Sequence, residues 1–176
     1  KSGIRQGLDI SVCTSDAMVA ELALRKPVQE KDALGYILGL PLDNDPGQTY
    51  SYSNFGYGLL SKIVELISHL SYEEYVRANV LGPMTDSSQW FVTSTLRKEK
   101  RATEANYYSF PGHPTWDAYR FDYMQGAGGW VAPVDGIAEF FSRIFPGKGW
   151  DYTLFGSYTG AVTVMKVNRN SLVYAA

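Results

Sequence analysis

The sequence is poor in the residues that hold metals and cross-links: it has one cysteine, Cys13, and two histidines, His69 and His113, far apart in 176 residues. A lone thiol forms no internal disulfide, and so few soft ligands leave neither a zinc site nor another bound metal or cofactor to expect. Net charge is scarce as well. The balance of −2 includes no basic cluster interleaved with aromatics, which argues against a nucleic-acid partner. No apolar run approaches the roughly 20 residues that span a bilayer, and the start at Lys1-Ser2-Gly3-Ile4-Arg5 is not followed by a signal-type apolar stretch. A transmembrane segment is therefore not expected, and the compartment is not readable from the sequence. Two nucleophile motifs are absent. There is no Gly-x-Ser-x-Gly elbow, and none of the eight lysines has a serine three residues before it. Thr95-Leu96-Arg97-Lys98 and Thr163-Val164-Met165-Lys166 come nearest.

What the chain does contain is apolar material: at 45% hydrophobic and 14% aromatic it can build the core of one compact domain and does not read as disordered. Residues 1–29 are loop-rich, with a short helix expected around Ser15 to Leu24. Residues 30–150 read as helices and loops. Leu34, Ile37, Leu38 and Leu40 give helical spacing from Glu30 until Pro41 and the turn-forming Asp43-Asn44-Asp45-Pro46-Gly47. Phe55, Leu59, Leu60, Ile63, Ile67 and Leu70 form one stripe, opposite Ser61, Lys62, Glu65, Ser68 and His69. This predicts an amphipathic helix over 55–70 that buries its apolar side. Ser71-Tyr72-Glu73-Glu74 has the form of a capping box, starting a helix expected to reach about Val80 and stop at Gly82-Pro83. Residues 85–125 read as long aromatic loops. A third strong helix follows Pro133, with Val134, Ile137, Ala138, Phe141, Ile144 and Phe145 on its apolar side, and ends at Pro146-Gly147. Ala161–Val167 and Leu172–Ala176, separated by Asn168-Arg169-Asn170, predict a β-hairpin within 151–176. Two short strands need neighbours to cover their edges, so the chain reads as an incomplete piece of a larger fold.

The segment from Asp45 to Leu60, with Pro46-Gly47, then Tyr52-Ser53-Asn54, then Gly56 and an apolar helix, resembles the serine β-lactamase-related and penicillin-binding-protein-like family. Leu81-Gly82-Pro83-Met84, Gly126-Ala127-Gly128-Gly129-Trp130-Val131 with Asp135, and the closing hairpin extend the resemblance over most of residues 30–176. It implies an α+β fold of the β-lactamase/transpeptidase type. In such a fold an antiparallel sheet flanked by helices meets a mostly helical region, with an acyl-transfer site between them. By the same analogy Tyr52 relays a proton between nucleophile and leaving group, Asn54 binds the substrate amide or orients its neighbours, and Ser53 is mainly a spacer. The implied nucleophile is the serine of a Ser-x-x-Lys motif N-terminal to Tyr52, which this chain lacks. The implied partners are a small acyl substrate and either an N-terminal segment or another chain that completes the sheet. Family analogy points to an extracytoplasmic location.

The family also places a Lys or His followed by Thr-Gly on a strand lining the site. Two registers fit that motif here. Tyr158-Thr159-Gly160 keeps Thr-Gly and puts Tyr in place of the cation. Leu154-Phe155-Gly156-Ser157 keeps the spacing to Val162-Thr163-Val164-Met165 and is preferred on that ground. Either way the cationic or imidazole group is gone. A phenol of ordinary pKa near 10 must be shifted down by about three units, roughly 4 kcal/mol, to ionise at neutral pH. Lys62, the one lysine near Tyr52 in sequence, is expected on the outward polar stripe and is a poor source of that shift.

Plainer readings compete at each position. Tyr52 can be a packed loop aromatic and Asn54 an N-cap. His113 reads as a loop residue and Cys13 as an ordinary small side chain. Gly126-Ala127-Gly128-Gly129 lacks the Gly-Lys-Ser/Thr of a phosphate loop and reads as a tight backbone passage near the cleft, where Gly128 and Gly129 are candidate lining residues. Two functions follow. One is a portion of a serine hydrolase acting on an ester, β-lactam or peptide-like amide. The other is a homologue that has lost catalysis and serves binding or assembly.

Overall fold

The structure, a computed structural model, describes residues 1–5, 16–23, 25, 28–94, 96–108, 120–145, 151–158, 160–167 and 172–175. Five helices are found among them: α1 (Asp16–Glu21), α2 (Glu30–Gly39), α3 (Asn54–Ser68), α4 (Tyr72–Val76) and α5 (Val134–Ile144). They accompany a two-stranded ribbon, β1 (Phe91–Val92) with β2 (Trp130–Val131), and an antiparallel sheet of β3 (Tyr152–Tyr158), β4 (Ala161–Val167) and β5 (Leu172–Ala175) in that order. The expected hairpin is β4 and β5. The ribbon was not anticipated, because two-residue strands show no alternation; β3 was expected only through the family motif, since Tyr152–Tyr158 carries an interior glycine that weakens a strand pattern. That glycine sits opposite Thr163, whose Oγ1 would lie 2.5 Å from any Cβ placed there.

Local chemistry sets the helix ends. At α4 the capping box forms as predicted: Glu74 N donates to Ser71 Oγ at 3.2 Å, and Ser71 N donates to Glu74 Oε2 at 3.0 Å. The helix then loosens into a π-turn over Arg77–Leu81 and closes where Gly82 N donates to Arg77 O at 2.9 Å. His69 ends α3 in the left-handed region at φ 59°.

Two apolar clusters organise the packing. Val28, Ala33, Ile37, Phe55, Phe121 and Met124 join α2 and α3 to the loop before β2. Leu81, Trp90 and Ile137 join the end of the π-turn, the start of β1 and α5, with Phe140 and Phe141 packed alongside. Ile137 and Phe141 thus face inward as expected, whereas Val134 and Ile144 are exposed.

The orientation of α3 corrects the sequence reading. Phe55 is fully buried, but Leu60, Ile63, Ile67 and Leu70 of the expected core stripe are exposed, Ile67 by 74%, and Leu66 beside them by 75%. The buried positions of α3 are Phe55, Gly58 and Ser61. Small residues win that face because the backbone comes close: a Cβ on Gly126 would collide with the carbonyl of Tyr57 and crowd Ser61. Lys62 also turns inward, its Nζ 2.8 Å from Glu30 Oε1 on α2 and 3.0 Å from Glu65 Oε2. The other oxygen of Glu65 accepts Tyr72 N at 3.0 Å, so one carboxylate ties the lysine to the start of α4.

Burial alone pulls the Lys62 ammonium down, but hydrogen bonds and charge from Glu30 and Glu65 outweigh it and leave Lys62 above its ordinary value of 10.5. Burial raises Glu30 despite the opposing pull of Lys62. The lysine's folded value lies above its unfolded one, so its contribution to stability is complete below pH 10.5 and is lost as pH rises through the raised folded value. Lys62→Met should cost about 1–3 kcal/mol by denaturant titration at pH 7, between the values for exposed and fully buried pairs. It should also remove Lys62's share of the alkaline loss of stability, to which the phenols of Tyr72 and Tyr107, raised by burial, add their own; an unchanged alkaline profile would show that Lys62 contributes none. Packing predicts a contrast within α3. Phe55→Ala should destabilise by about 3–5 kcal/mol, whereas Leu66→Ser should stay within about 0.5 kcal/mol. Equal losses in thermal melts would contradict this orientation of the helix.

Candidate active site

The approach to α3 is fixed by turns. Gly47 adopts φ 88° after Pro46, its N donates to Lys1 O at 2.7 Å, and Asp43 N donates to Gly3 O at 2.9 Å. The chain then runs extended to Ser53, the N-cap of α3, whose Oγ accepts Gly56 N at 3.0 Å. Ser53 is therefore more than a spacer, and the cap is not Asn54, which is the first helical residue and half-buried. The serine wins because its extended backbone aims a short hydroxyl at the free amides of the first turn. Tyr52, one residue earlier, is 63% exposed. A packed loop aromatic is not what the structure shows there.

The candidates for the third motif begin on β3. Leu154, Phe155, Gly156 and Ser157 are all exposed, Phe155 by 75%, while Tyr158 at the end of the strand is partly buried. Gly160 turns at φ 91° toward β4, and Thr159 lies outside the described residues. Of the two registers, Leu154-Phe155-Gly156 lies within the strand, whereas Tyr158 is its last residue and Gly160 lies in a turn.

The structure packs together part of the predicted set. The Tyr158 ring meets Phe121 edge-on at 4.6 Å and Tyr107 at 5.6 Å. Phe121 fills the space beside Gly129, which holds φ 81° and accepts Thr93 N at 2.9 Å. Gly128 borders the same ring, and Gly126 rests on Tyr57 and Ser61 of α3. The glycine passage is thus wedged between α3 and the end of β3. Tyr52 and Phe155 turn to solvent and are outside this packed set.

Sequence reasoning missed three participants. Glu104, 4% exposed, accepts the Tyr107 hydroxyl at 2.6 Å, and burial, then this hydrogen bond, hold Tyr107 above the ordinary phenol range. Phe121 was one aromatic among many. Lys62 was placed on the wrong side of α3; its ammonium is engaged by Glu30 and Glu65. Only the existence of the aromatic run 107–123 was visible, since no spacing rule marks a glutamate that a distant fold will bury.

A cavity of about 160 Å³ opens beside β1, lined by Phe91, Val92, Thr93, Ser94, Glu99, Arg101 and Glu104. Arg101 lies over the Phe91 ring at 4.1 Å and reaches Glu73 at 3.7 Å. Tyr52, Asn54 and β3 contribute nothing to it. Among the described residues no group of three or more His, Cys, Asp or Glu could hold a metal ion. Cys13 and His113 lie outside the described residues, and His69 is an exposed helix cap. No helix of the described residues is long and apolar enough to cross a membrane.

Comparison with known proteins bears on the family and the fold. Residues 11–163 match the family model described as Beta-lactamase. The fold is similar to D-amino acid amidase from Ochrobactrum anthropi SV3, at 18% identity in both of two solved complexes. With L-phenylalanine the TM-score is 0.52, over 99% of this chain and 55% of that one; with D-phenylalanine it is 0.50, over 98% and 55%. This chain spans about half the length of those amidase chains. With a family match over residues 11–163 and an α+β fold shared with these structures, the chain belongs to the β-lactamase family.

Proposed function

We propose that this chain is the Tyr-Ser-Asn-bearing portion of a serine acyl-hydrolase whose Ser-x-x-Lys nucleophile is supplied from outside these 176 residues. The observation that carries the reading is the state of α3. Exposed Tyr52 stands just before the Ser53 cap, Asn54 opens the helix, and Leu60, Ile63, Leu66 and Ile67 of the helix, with Leu70 just beyond it, are uncovered. An apolar stripe of that length on an exposed surface marks a face that another element covers. A nucleophile-bearing helix laid there would bring its serine toward the Tyr52 end.

The chemistry is acyl transfer. The serine oxygen attacks the carbonyl of an ester, β-lactam or peptide-like amide, Tyr52 passes the proton to the leaving group, and water releases the acyl group from the serine. Asn54, held at the start of α3, is placed to hydrogen-bond the substrate amide. Phe155, Gly156 and Ser157 form the facing wall, with Gly128 and Gly129 behind. Lys62 is not the ammonium that assists Tyr52, because two carboxylates already hold it. That cation comes with the incoming Ser-x-x-Lys.

A second reading rests on β3. Where the family carries a cation and Thr-Gly, the strand presents Leu154 and Phe155, both exposed apolar groups. This favours a homologue that keeps the fold for binding or assembly.

Treating the intact native protein with a tagged penicillin or fluorophosphonate and mapping the adduct by peptide mass spectrometry separates the two. The hydrolase reading expects an adduct on a serine followed three residues later by lysine. Tyr52→Phe should then lower the acylation rate by about 10²-fold or more, within the range of general acid–base catalysis. Full peptide coverage without an adduct would instead support the scaffold.

A further inference from the structure

The edge strand β3 has little to hold it in place. It bonds only to β4 among the described strands, and residues 153–157 are all exposed. Its anchor to the helical part is Tyr158, whose ring is edge-on to Phe121 at 4.6 Å and to Tyr107 at 5.6 Å. Tyr107 is itself tethered: its hydroxyl donates to Glu104 Oε1 at 2.6 Å, while Arg101 N donates to Glu104 Oε2 at 3.3 Å. Glu104 is 4% exposed, so little water competes with the phenol for this acceptor. The path closes on Gly129, where a Cβ would come 2.8 Å from that of Phe121, and whose carbonyl accepts Thr93 N.

We propose that Glu104 and Tyr107 are positioning residues: their hydrogen bond fixes the Tyr107 ring, which fixes Tyr158 and so sets where the Leu154–Ser157 wall stands relative to α3. Neither residue touches substrate. The role as wall rests on the hydrolase reading above; the clamp on β3 does not. Burial and then Glu104 keep the Tyr107 phenol protonated, so its hydroxyl donates to Glu104, while a side-chain hydrogen bond from Thr93 pulls weakly the other way.

Hydrogen–deuterium exchange on the intact protein tests the clamp. Tyr107→Phe keeps the ring and loses the hydroxyl, and should speed exchange of the amides in 153–158 by about threefold or more while α5 stays within about twofold. Glu104→Gln keeps an uncharged acceptor and should hold β3 within about twofold of the parent. If the protein acylates, Tyr107→Phe should lower the saturating acylation rate and leave half-saturation unchanged. Unaltered β3 exchange in Tyr107→Phe, or an equal rise in β3 and α5, would overturn the proposal. Absence of any acylation would count against the hydrolase reading alone, since exchange does not depend on it.

Discussion

Lys62 lies between Glu30 and Glu65, and the way α3 faces follows from that placement. An ammonium leaves water only where carboxylates replace its hydration, and here one comes from α2 and one from the next turn of α3 itself. With Lys62 drawn inward, Gly58 and Ser61 come with it, and the glycine passage around Gly126 can rest on the helix backbone. The large apolar residues are then carried to the opposite side. Burying them against α2 instead would turn Lys62 and Glu65 to solvent and leave Glu30 without its counter-ion.

The motif segment was legible in the sequence for a physical reason: caps, turns and helix periods are local. Pro46-Gly47, the cap before α3 and the Ser71–Glu74 box depend on neighbours a few residues away, and each is found close to its expected place. Which side of α3 is covered is not local. A hydropathy stripe shows the side that some element can bury, and the sequence reading took that element to be within the chain. The packing contradicts it, because Glu30 and Gly126 meet the polar side. β3 was visible only through the family motif and not through its own pattern, for a related reason. Its strand is made by pairing with β4 and not by its own alternation, and its interior glycine is tolerated only because Thr163 fills the space opposite.

The two faces of the candidate site differ in rigidity. On the α3 side the backbone is pinned by turn, cap and core, so the position of Asn54 is set by many contacts that do not depend on one another. On the β3 side the strand hangs from β4 and from the aromatic contacts of Tyr158. In the proposed site, a cleft with one firm and one lightly held wall would adjust its width, and the aromatic side chains limiting that adjustment would stand behind it.

The same division separates the tyrosines. Tyr107, Tyr158 and Tyr52 carry the same phenol, yet burial and Glu104 hold Tyr107 protonated and engaged, and Tyr158 is packed against two rings. Tyr52 alone of the three stands largely in solvent, next to the capped start of a helix whose apolar side is open. A proton relay must meet both a nucleophile and a leaving group, so it belongs where the surface is still uncovered. The environment, not the residue type, therefore makes Tyr52 the chemical candidate and the other two its scaffold.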